Sequence, residues 1–208
     1  MDVATDRPPL LVIVGPTGSG KSELALEVAE AIGGEIVSAD AFAVYRGLDI
    51  GTDKPSAEAR RRVRHHLIDI ADPHQRFSAG HFAAAAAAAI DDIRSRGAVP
   101  VVAGGTHFYV RALLLGLFDS PPGDPALQAR LAAEWDADPA GTAGRLRAVD
   151  PAAAARIGAG DRQRVLRALE VWEATGVPIS EHWRRHEPRP SYRALIAAPH
   201  RDRRDLYA

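Results

Sequence analysis

Short apolar runs bounded by glycine and polar residues recur along the 208-residue chain. Residues 10–14 (LLVIV) read as a buried strand, and 35–39 (EIVSA), 66–70, 99–103 and 193–198 (RALIAA) predict four more. Between them the apolar spacing becomes helical. Residues 22–32 predict a helix stopped by Gly33 and Gly34, a short helix falls near 56–63, and Ser78 caps a long one that Gly97 ends. Another helix is expected from Thr106 to about Gly116. Seven consecutive alanines in the long helix combine strong helix propensity with little bulk, which suits close packing on a sheet.

Strands alternating with helices predict an α/β fold, a parallel sheet flanked by helices. After the turn-rich break DSPPGDP (119–125) the pattern is helical with no clear strand until residue 193. We therefore expect a core over residues 1–119, a helical insertion over 120–188, and a return to the core over 189–208. Within the insertion, Asp161 can cap a helix through Ala174, with Gly176 and Pro178 behind it. Val165, Leu169 and Trp172 stand at i, i+4 and i+7 and are expected to face inward. Arg164 and Arg167 form an i, i+3 pair on a different face, with Gln163 beside Arg167.

The chain has no cysteine, which removes disulfides and thiolate metal sites. Its first residues, MDVATDRPP, lack the regions of a signal peptide, and no apolar run approaches about 18 residues. No membrane association and a cytoplasmic location are the expectations, with the protein acting as a monomer. Charge is unevenly distributed: residues 1–144 hold 13 Lys+Arg against 19 Asp+Glu, and residues 145–204 hold 13 Arg against 7 acids. The first stretch is thus −6 and the second +6, with Asp205 supplying the remaining −1. Such an arginine excess fits a phosphate-backbone partner, and equally a solvated arginine-rich surface.

The most specific chemistry lies between the first strand and first helix. Gly15, Pro16, Thr17, Gly18, Ser19, Gly20, Lys21 and Ser22 fill the phosphate-binding pattern G-x-x-x-x-G-K-[ST] in its required strand–turn–helix setting. Glycines let successive N–H groups point inward, and the helix N-terminus adds partial positive charge. Lys21 can reach diphosphate oxygens, and Ser22 can help hold a Mg²⁺ bridging them. Asp40 follows the second strand, at the carboxyl edge of the sheet where ligands gather. It is a candidate base, or an aspartate that caps a turn through its own backbone. The long loop 41–55 is of a length that usually carries function. Gly104, Gly105 and Thr106 place small residues and a hydroxyl at another strand end. The Gln163/Arg164/Arg167 face can grip RNA or serve as a polar surface stripe. His182 and His186 lack a third ligand for zinc, and His65 and His66, ahead of a strand, cannot chelate one metal together.

Taken in order, GPTGSGKS (15–22), SADAFAVYRGLDIGTDKP (38–55), HHLIDIADP (65–73), FSAGHF (77–82), GGTHFYVRALLLGL (104–117), DPAAAARI (150–157) and DRQRVLRALEV (161–171) resemble the bacterial tRNA dimethylallyltransferase family. The resemblance runs from about residue 9 to 207. It implies a P-loop NTPase-like core and transfer of a dimethylallyl group from dimethylallyl diphosphate to N6 of the adenosine just 3′ of a tRNA anticodon. It further implies that residues 15–22, a loop usually associated with ATP, hold the diphosphate with Mg²⁺. By the same similarity Asp40 accepts the amine proton, Thr106 hydrogen-bonds the diphosphate, and Lys21 acts on the leaving group. The tRNA contacts would come from Asp40, Ala41, Phe42, Ala43, Thr106, Gln128 and the run Gln163, Arg164, Val165, Leu166, Arg167. The chain departs from the family pattern at Ala41 (usually Ser), His107 (usually Gly) and Gln128 (commonly Arg). Family members also continue past the ending RDLYA and carry a further arginine there, so a truncated form is expected. Two other readings remain open: a small-metabolite kinase of the shikimate-kinase sort, and a tRNA-binding remnant without turnover.

Overall fold

The computed structural model describes residues 7–119 and 121–200. The expectations for MDVATD, Ser120 and residues 201–208 lie outside the described residues. By their packing, the described residues up to Gly116 and from Arg189 onward form one unit, and Leu117–Pro188 a second.

The first unit is a five-stranded parallel sheet: β1 (Pro9–Val14), β2 (Gly34–Ser38), β3 (His65–His66), β4 (Val99–Gly104) and β5 (Arg193–Ala197), in the order β3-β2-β4-β1-β5. Alternation along β1 sends Leu10 and Val12 to one face and Leu11 and Ile13 to the other. The first face meets α3 (Ala79–Ser95) and α4 (His107–Leu115) through Phe82, Ile90, Ile93 and Val110. The second meets α1 (Lys21–Ile32) through Ala25 and Ala29. Small residues on α1 and α3 allow that close approach, and α3 opens on the expected Ser78 cap, completed into a capping box by His81. The short α2 (Ala57–Arg62) is capped by Ser56. β5 returns beside β1 at the sheet edge, where Leu195 and Ile196 remain 70% and 56% exposed.

The strand expected over 66–70 is corrected. Pairing ends at His66, because Leu67 and Asp69 both take left-handed backbone angles (φ 61° and 57°). The chain swings away, and residues 69–71 hydrogen-bond instead to Ala43 and Val44. What holds it there is ionic: the Asp69 carboxylate receives Lys54 Nζ at 2.7 Å and Arg60 at 2.9 Å. His65 and His66 are thus strand residues, with His66 Nε2 2.6 Å from Glu35. Burial pushes the His65 imidazole below its ordinary pKa.

The second unit is helical: α5 (Pro125–Ala137), α6 (Pro139–Val149), α7 (Pro151–Arg156), α8 (Arg162–Thr175) and α9 (Ile179–Arg185). Three successive helices start with Asp-Pro. Asp124, Asp138 and Asp150 accept first-turn N–H groups while proline, which has none to leave orphaned, takes the first helical position. Asp161 caps α8 as expected. Leu131, Trp135, Leu146, Val165 and Leu169 form the core. Trp172, expected to face inward, is only partly buried, and Ala168 and Val171 share the inner face with Val165 and Leu169. Among the described residues no helix is long and apolar enough to cross a membrane.

Candidate functional site

The order of strands brings three chain segments to one edge of the first unit. β4 lies between β2 and β1, so the residues that follow these strands emerge side by side at their carboxyl ends. After β1 comes the loop 15–22, which turns directly into α1. Gly20 is the N-cap and no side chain caps the helix, so its first N–H groups are left for another partner. Close approach explains the glycines here. A Cβ on Gly15 would lie 2.6 Å from Ser19 Oγ, and one on Gly104, at the end of β4, only 2.2 Å from the Ala39 carbonyl oxygen.

Two polar groups in this loop are poorly satisfied by the protein. Lys21 is 8% exposed, yet among the described residues its ammonium makes only a 3.4 Å contact with the Pro16 carbonyl. Ser19 Oγ is buried with no hydrogen-bond partner among the described residues. A buried polar group without a partner costs about 1–3 kcal/mol, so both point to an anionic or hydrogen-bonding ligand inside the loop. Ser22 is exposed at the first turn. Gly18, Gly20, Lys21, Ser22, Glu23 and Asp53 line a cavity of about 290 Å³ there. Lys21 and the first-turn N–H groups on its wall suit a diphosphate, while Glu23 and Asp53 make the rest of the wall acidic.

Beyond β2 lies Asp40. Its Oδ1 accepts from the N–H groups of Phe42 (2.7 Å) and Ala43 (3.0 Å), so one oxygen does cap the following turn. Oδ2 makes no hydrogen bond among the described residues. Both readings of Asp40 are therefore compatible in one side chain: one oxygen holds the turn and the other is available. Beyond β4 lies Thr106, whose Oγ1 accepts from Ala41 N–H at 3.0 Å. Its backbone N–H donates to Ala39 O at 3.2 Å. These two bonds join the segment after β2 to the segment after β4 and leave the threonine O–H proton free to donate. Gly105, next to Thr106, approaches the loop itself, since a Cβ there would sit 3.4 Å from Gly15 O and 3.7 Å from Lys21 Cε.

The residues expected to contact RNA fare unequally. Phe42 is 63% exposed on the turn held by Asp40, and Ala41 is half-buried. Ala43 is buried, so its side chain is core and only its backbone belongs to the turn. In the second unit Gln163 and Arg164 are exposed. Val165 is corrected: its side chain is 1% exposed and fills the helical core, with Leu166 half-buried against it. Arg167 is not on an open stripe either. It pairs with Glu170 at 2.6 Å and donates to Pro121 O at 3.2 Å. Gln128 donates to the other oxygen of the same buried Glu170 at 2.7 Å. The hub Glu170 was not legible in the spacing. Neither were Asp53, in the long loop already marked for function, and Phe108, 58% exposed two residues after Thr106. No group of three or more His, Asp or Glu side chains converges as a metal cage among the described residues.

Comparison with known proteins places this geometry among relatives. A family model described as IPP transferase matches residues 43–208. A tRNA dimethylallyltransferase of Sorangium cellulosum (strain So ce56) is 51% identical over 199 residues, covering 95% of this chain and 63% of that protein. The tRNA dimethylallyltransferase 2 of Geotalea uraniireducens (strain Rf4) is 49% identical, covering 97% and 66%. This chain thus spans a little under two thirds of the length of these curated relatives. Among solved structures, a eukaryotic dimethylallyltransferase described as acting on tRNA superposes with a TM-score of 0.79 at 28% identity, covering 92% of this chain and 48% of that one. A tRNA delta(2)-isopentenylpyrophosphate transferase from Staphylococcus epidermidis gives a TM-score of 0.57 at 35% identity, covering 92% and 63%.

Proposed function

The chain belongs to the IPP transferase family, and on that premise we propose that it transfers a dimethylallyl group from dimethylallyl diphosphate to N6 of the adenosine 3′-adjacent to a tRNA anticodon. The observation that carries the proposal is the 3.0 Å bond from Ala41 N–H to Thr106 Oγ1. It ties the carboxylate-bearing turn to the hydroxyl that borders the glycine loop.

In the reaction the allylic C–O bond breaks, its electron pair leaves with the diphosphate, the N6–C bond forms, and N6 loses a proton. The residues divide these tasks. Lys21 and the loop N–H groups lie where charge develops on the leaving group, the kind of contribution worth about 3–4 kcal/mol per donor. Thr106 donates its O–H to a diphosphate oxygen. Asp40 Oδ2 accepts the N6 proton while Oδ1 keeps the turn in place, a role worth about 10²–10⁴-fold. The adenine must leave the anticodon-loop stack to reach this edge, and the exposed ring of Phe42 offers it a surface to stack on.

Mg²⁺ fits the donor set, since it takes one or two protein oxygens and completes its shell with phosphate and water, as the exposed Ser22 hydroxyl beside the cavity allows. Bound with the diphosphate, it would neutralise leaving-group charge. We assign tRNA contact in the helical unit to Gln163 and Arg164. Every residue named belongs to one copy of the chain, and we assign it to a monomer acting in the cytoplasm.

The test is incubation of the protein with dimethylallyl diphosphate, Mg²⁺ and unmodified tRNA, followed by mass analysis of the nucleosides. A prenylated adenosine is expected. Unmodified tRNA that nevertheless binds in a salt-sensitive way would leave only a tRNA-binding role. Phosphorylation of a small metabolite from ATP would replace the proposal with a kinase.

A further inference from the structure

Asp53 stands at the same cavity as the phosphate loop, in a place nothing in the loop pattern requires. Its backbone is left-handed (φ 51°), a conformation L-residues seldom adopt and in which Asp and Asn are among the least disfavoured. The neighbouring residue holds it there. Lys54, with its side chain 4% exposed, donates to Tyr45 O at 2.7 Å, Asp49 Oδ1 at 2.8 Å and Asp69 Oδ1 at 2.7 Å. Arg60 grips the other oxygen of Asp69 at 2.9 Å. Burial opposes the Lys54 charge, but the two carboxylates outweigh it and raise its pKa above the ordinary value. The loop is therefore strapped down next to Asp53 while the Asp53 carboxylate itself has no partner among the described residues. Glu23, on the same cavity, has none either. Neither forms an ion pair with Lys21.

This arrangement is at odds with a cradle for a bare anion. Lys21 and the helix N-terminus attract a diphosphate, while two unpartnered carboxylates on the same cavity repel it. A hydrated divalent cation between them reconciles the two. Resting on the diphosphate assignment above, we propose that Asp53 makes the cradle selective for diphosphate carried with a divalent cation, which Ser22 and the diphosphate would hold and whose bound water would donate a hydrogen bond to Asp53. Glu23 adds charge to the same side. Mg²⁺ keeps several waters when it binds, so a carboxylate acting through water suits it. The buried, partnerless Ser19 hydroxyl and the under-satisfied Lys21 are independent signs that the loop is built around a ligand.

The test is calorimetric titration of the protein with inorganic pyrophosphate, once with EDTA and once with Mg²⁺, requiring no catalysis. Asp53→Asn removes the charge but keeps a residue tolerated at positive φ. In the wild type, Mg²⁺ should tighten pyrophosphate binding about tenfold or more, the scale of one well-placed charge contact. In Asp53→Asn that enhancement should shrink to about threefold or less, with metal-free binding equal or tighter because a repulsive charge has gone. An Asp53→Asn variant that keeps the full Mg²⁺ enhancement overturns the proposal. So does one that loses metal-free and Mg²⁺-dependent binding in parallel, since that marks a structural role. Lys21→Ala separates the two levels of the argument. If it binds pyrophosphate as the wild type does, the cradle assignment itself falls, whereas wild-type binding that Mg²⁺ does not tighten but that Lys21→Ala abolishes removes the Asp53 role alone.

Discussion

In the sheet unit, the polar groups at the strand ends are left with capacity to spare: among the described residues Lys21 meets one distant carbonyl, Ser19 Oγ meets nothing, and Asp40 keeps one oxygen free. In the helical unit the charges are consumed internally. Arg130 and Arg145 each reach both Glu134 and Glu173, Arg167 holds Glu170, and Arg184 and Arg185 share Glu181. Arg156 lies over the Trp183 ring at 4.9 Å. Of the arginines in the second half of the chain, Arg145, Arg156 and Arg162 link different helices, while Arg167, Arg184 and Arg185 pair within their own helix. Unsatisfied polar groups mark where a ligand is awaited, and counting charges does not.

The contrast is tested most severely at Asp40, which belongs to both categories. Asp40→Ala would confuse them by removing the turn cap with the base. Asp40→Asn keeps an oxygen for the Phe42 and Ala43 N–H groups and removes only the proton acceptor. We expect prenyl transfer to fall by about 10²–10⁴-fold while tRNA affinity stays within about tenfold. Single-turnover rates and filter binding on the same samples decide it, and an equal loss in both would assign Asp40 to the turn alone.

Next in size is the internal capping of the helical unit. Asp150 is 2% exposed, caps α7 through Ala153 N–H and accepts Ser180 N–H at the start of α9. Asp150→Ala strands both donors and should cost about 2–4 kcal/mol. Trp135, Trp172 and Trp183 all lie in this unit, so denaturation followed by tryptophan fluorescence reads it directly. Pyrophosphate binding, a property of the other unit, should be unchanged in the absence of denaturant.

Much of this was legible in the sequence because it is local. The apolar runs of β1, β2 and β4, the Ser78 and Asp161 caps, and the glycine loop each follow from neighbours a few residues away. What failed was decided at long range. The run 66–70 has the apolar content of a strand, but Lys54 and Arg60 hold Asp69 in a left-handed turn, and nothing nearby in sequence announces that. Arg167 resembled Arg164 by spacing, and the difference is the buried Glu170 beneath it. Helical period placed Val165 inward correctly, yet family resemblance also carried it into the RNA-contact set, where its burial excludes its side chain. Asp53 was invisible because its placement depends on the strap formed by its neighbour.

That strap gives a pH prediction of smaller size. Lys54 first, and Arg60 with it, hold the Asp69 carboxyl below its ordinary pKa of 3.8. A carboxylate with a depressed folded pKa contributes stability that is complete above the unfolded value and lost as pH falls through the folded one. Amide exchange in the 46–55 loop should therefore be as well protected at pH 5 as at pH 7 and loosen only below about pH 4. Asp69→Asn should bring the loosened state to neutral pH at a cost of about 1–2 kcal/mol, Asp69 being partly exposed while Lys54 is not. Protection that declined already between pH 7 and 5 would mean another group controls the loop.

The smallest expected effect is the one that separates consumed from available arginines. Among the described residues Arg164 is paired only with Asp161, at 3.2 Å, and its side chain is 73% exposed. Such exposed pairs contribute about 0–1 kcal/mol, so the guanidinium can exchange Asp161 for a phosphate at little cost. Asp161 would still cap α8 through its other oxygen, which accepts Arg164 N–H at 3.1 Å. Arg164→Ala should weaken tRNA binding only about threefold to tenfold and lower the salt dependence by about one phosphate contact, leaving stability and pyrophosphate binding intact. Arg145→Ala should do the reverse, because its guanidinium joins α6 to Glu134 of α5 and Glu173 of α8. It should lower the fluorescence-detected denaturation midpoint and leave the salt slope of binding alone. If Arg145→Ala changed the slope and spared stability, the helical unit's ion pairs would be exchangeable RNA contacts, and the distinction between the two units would collapse.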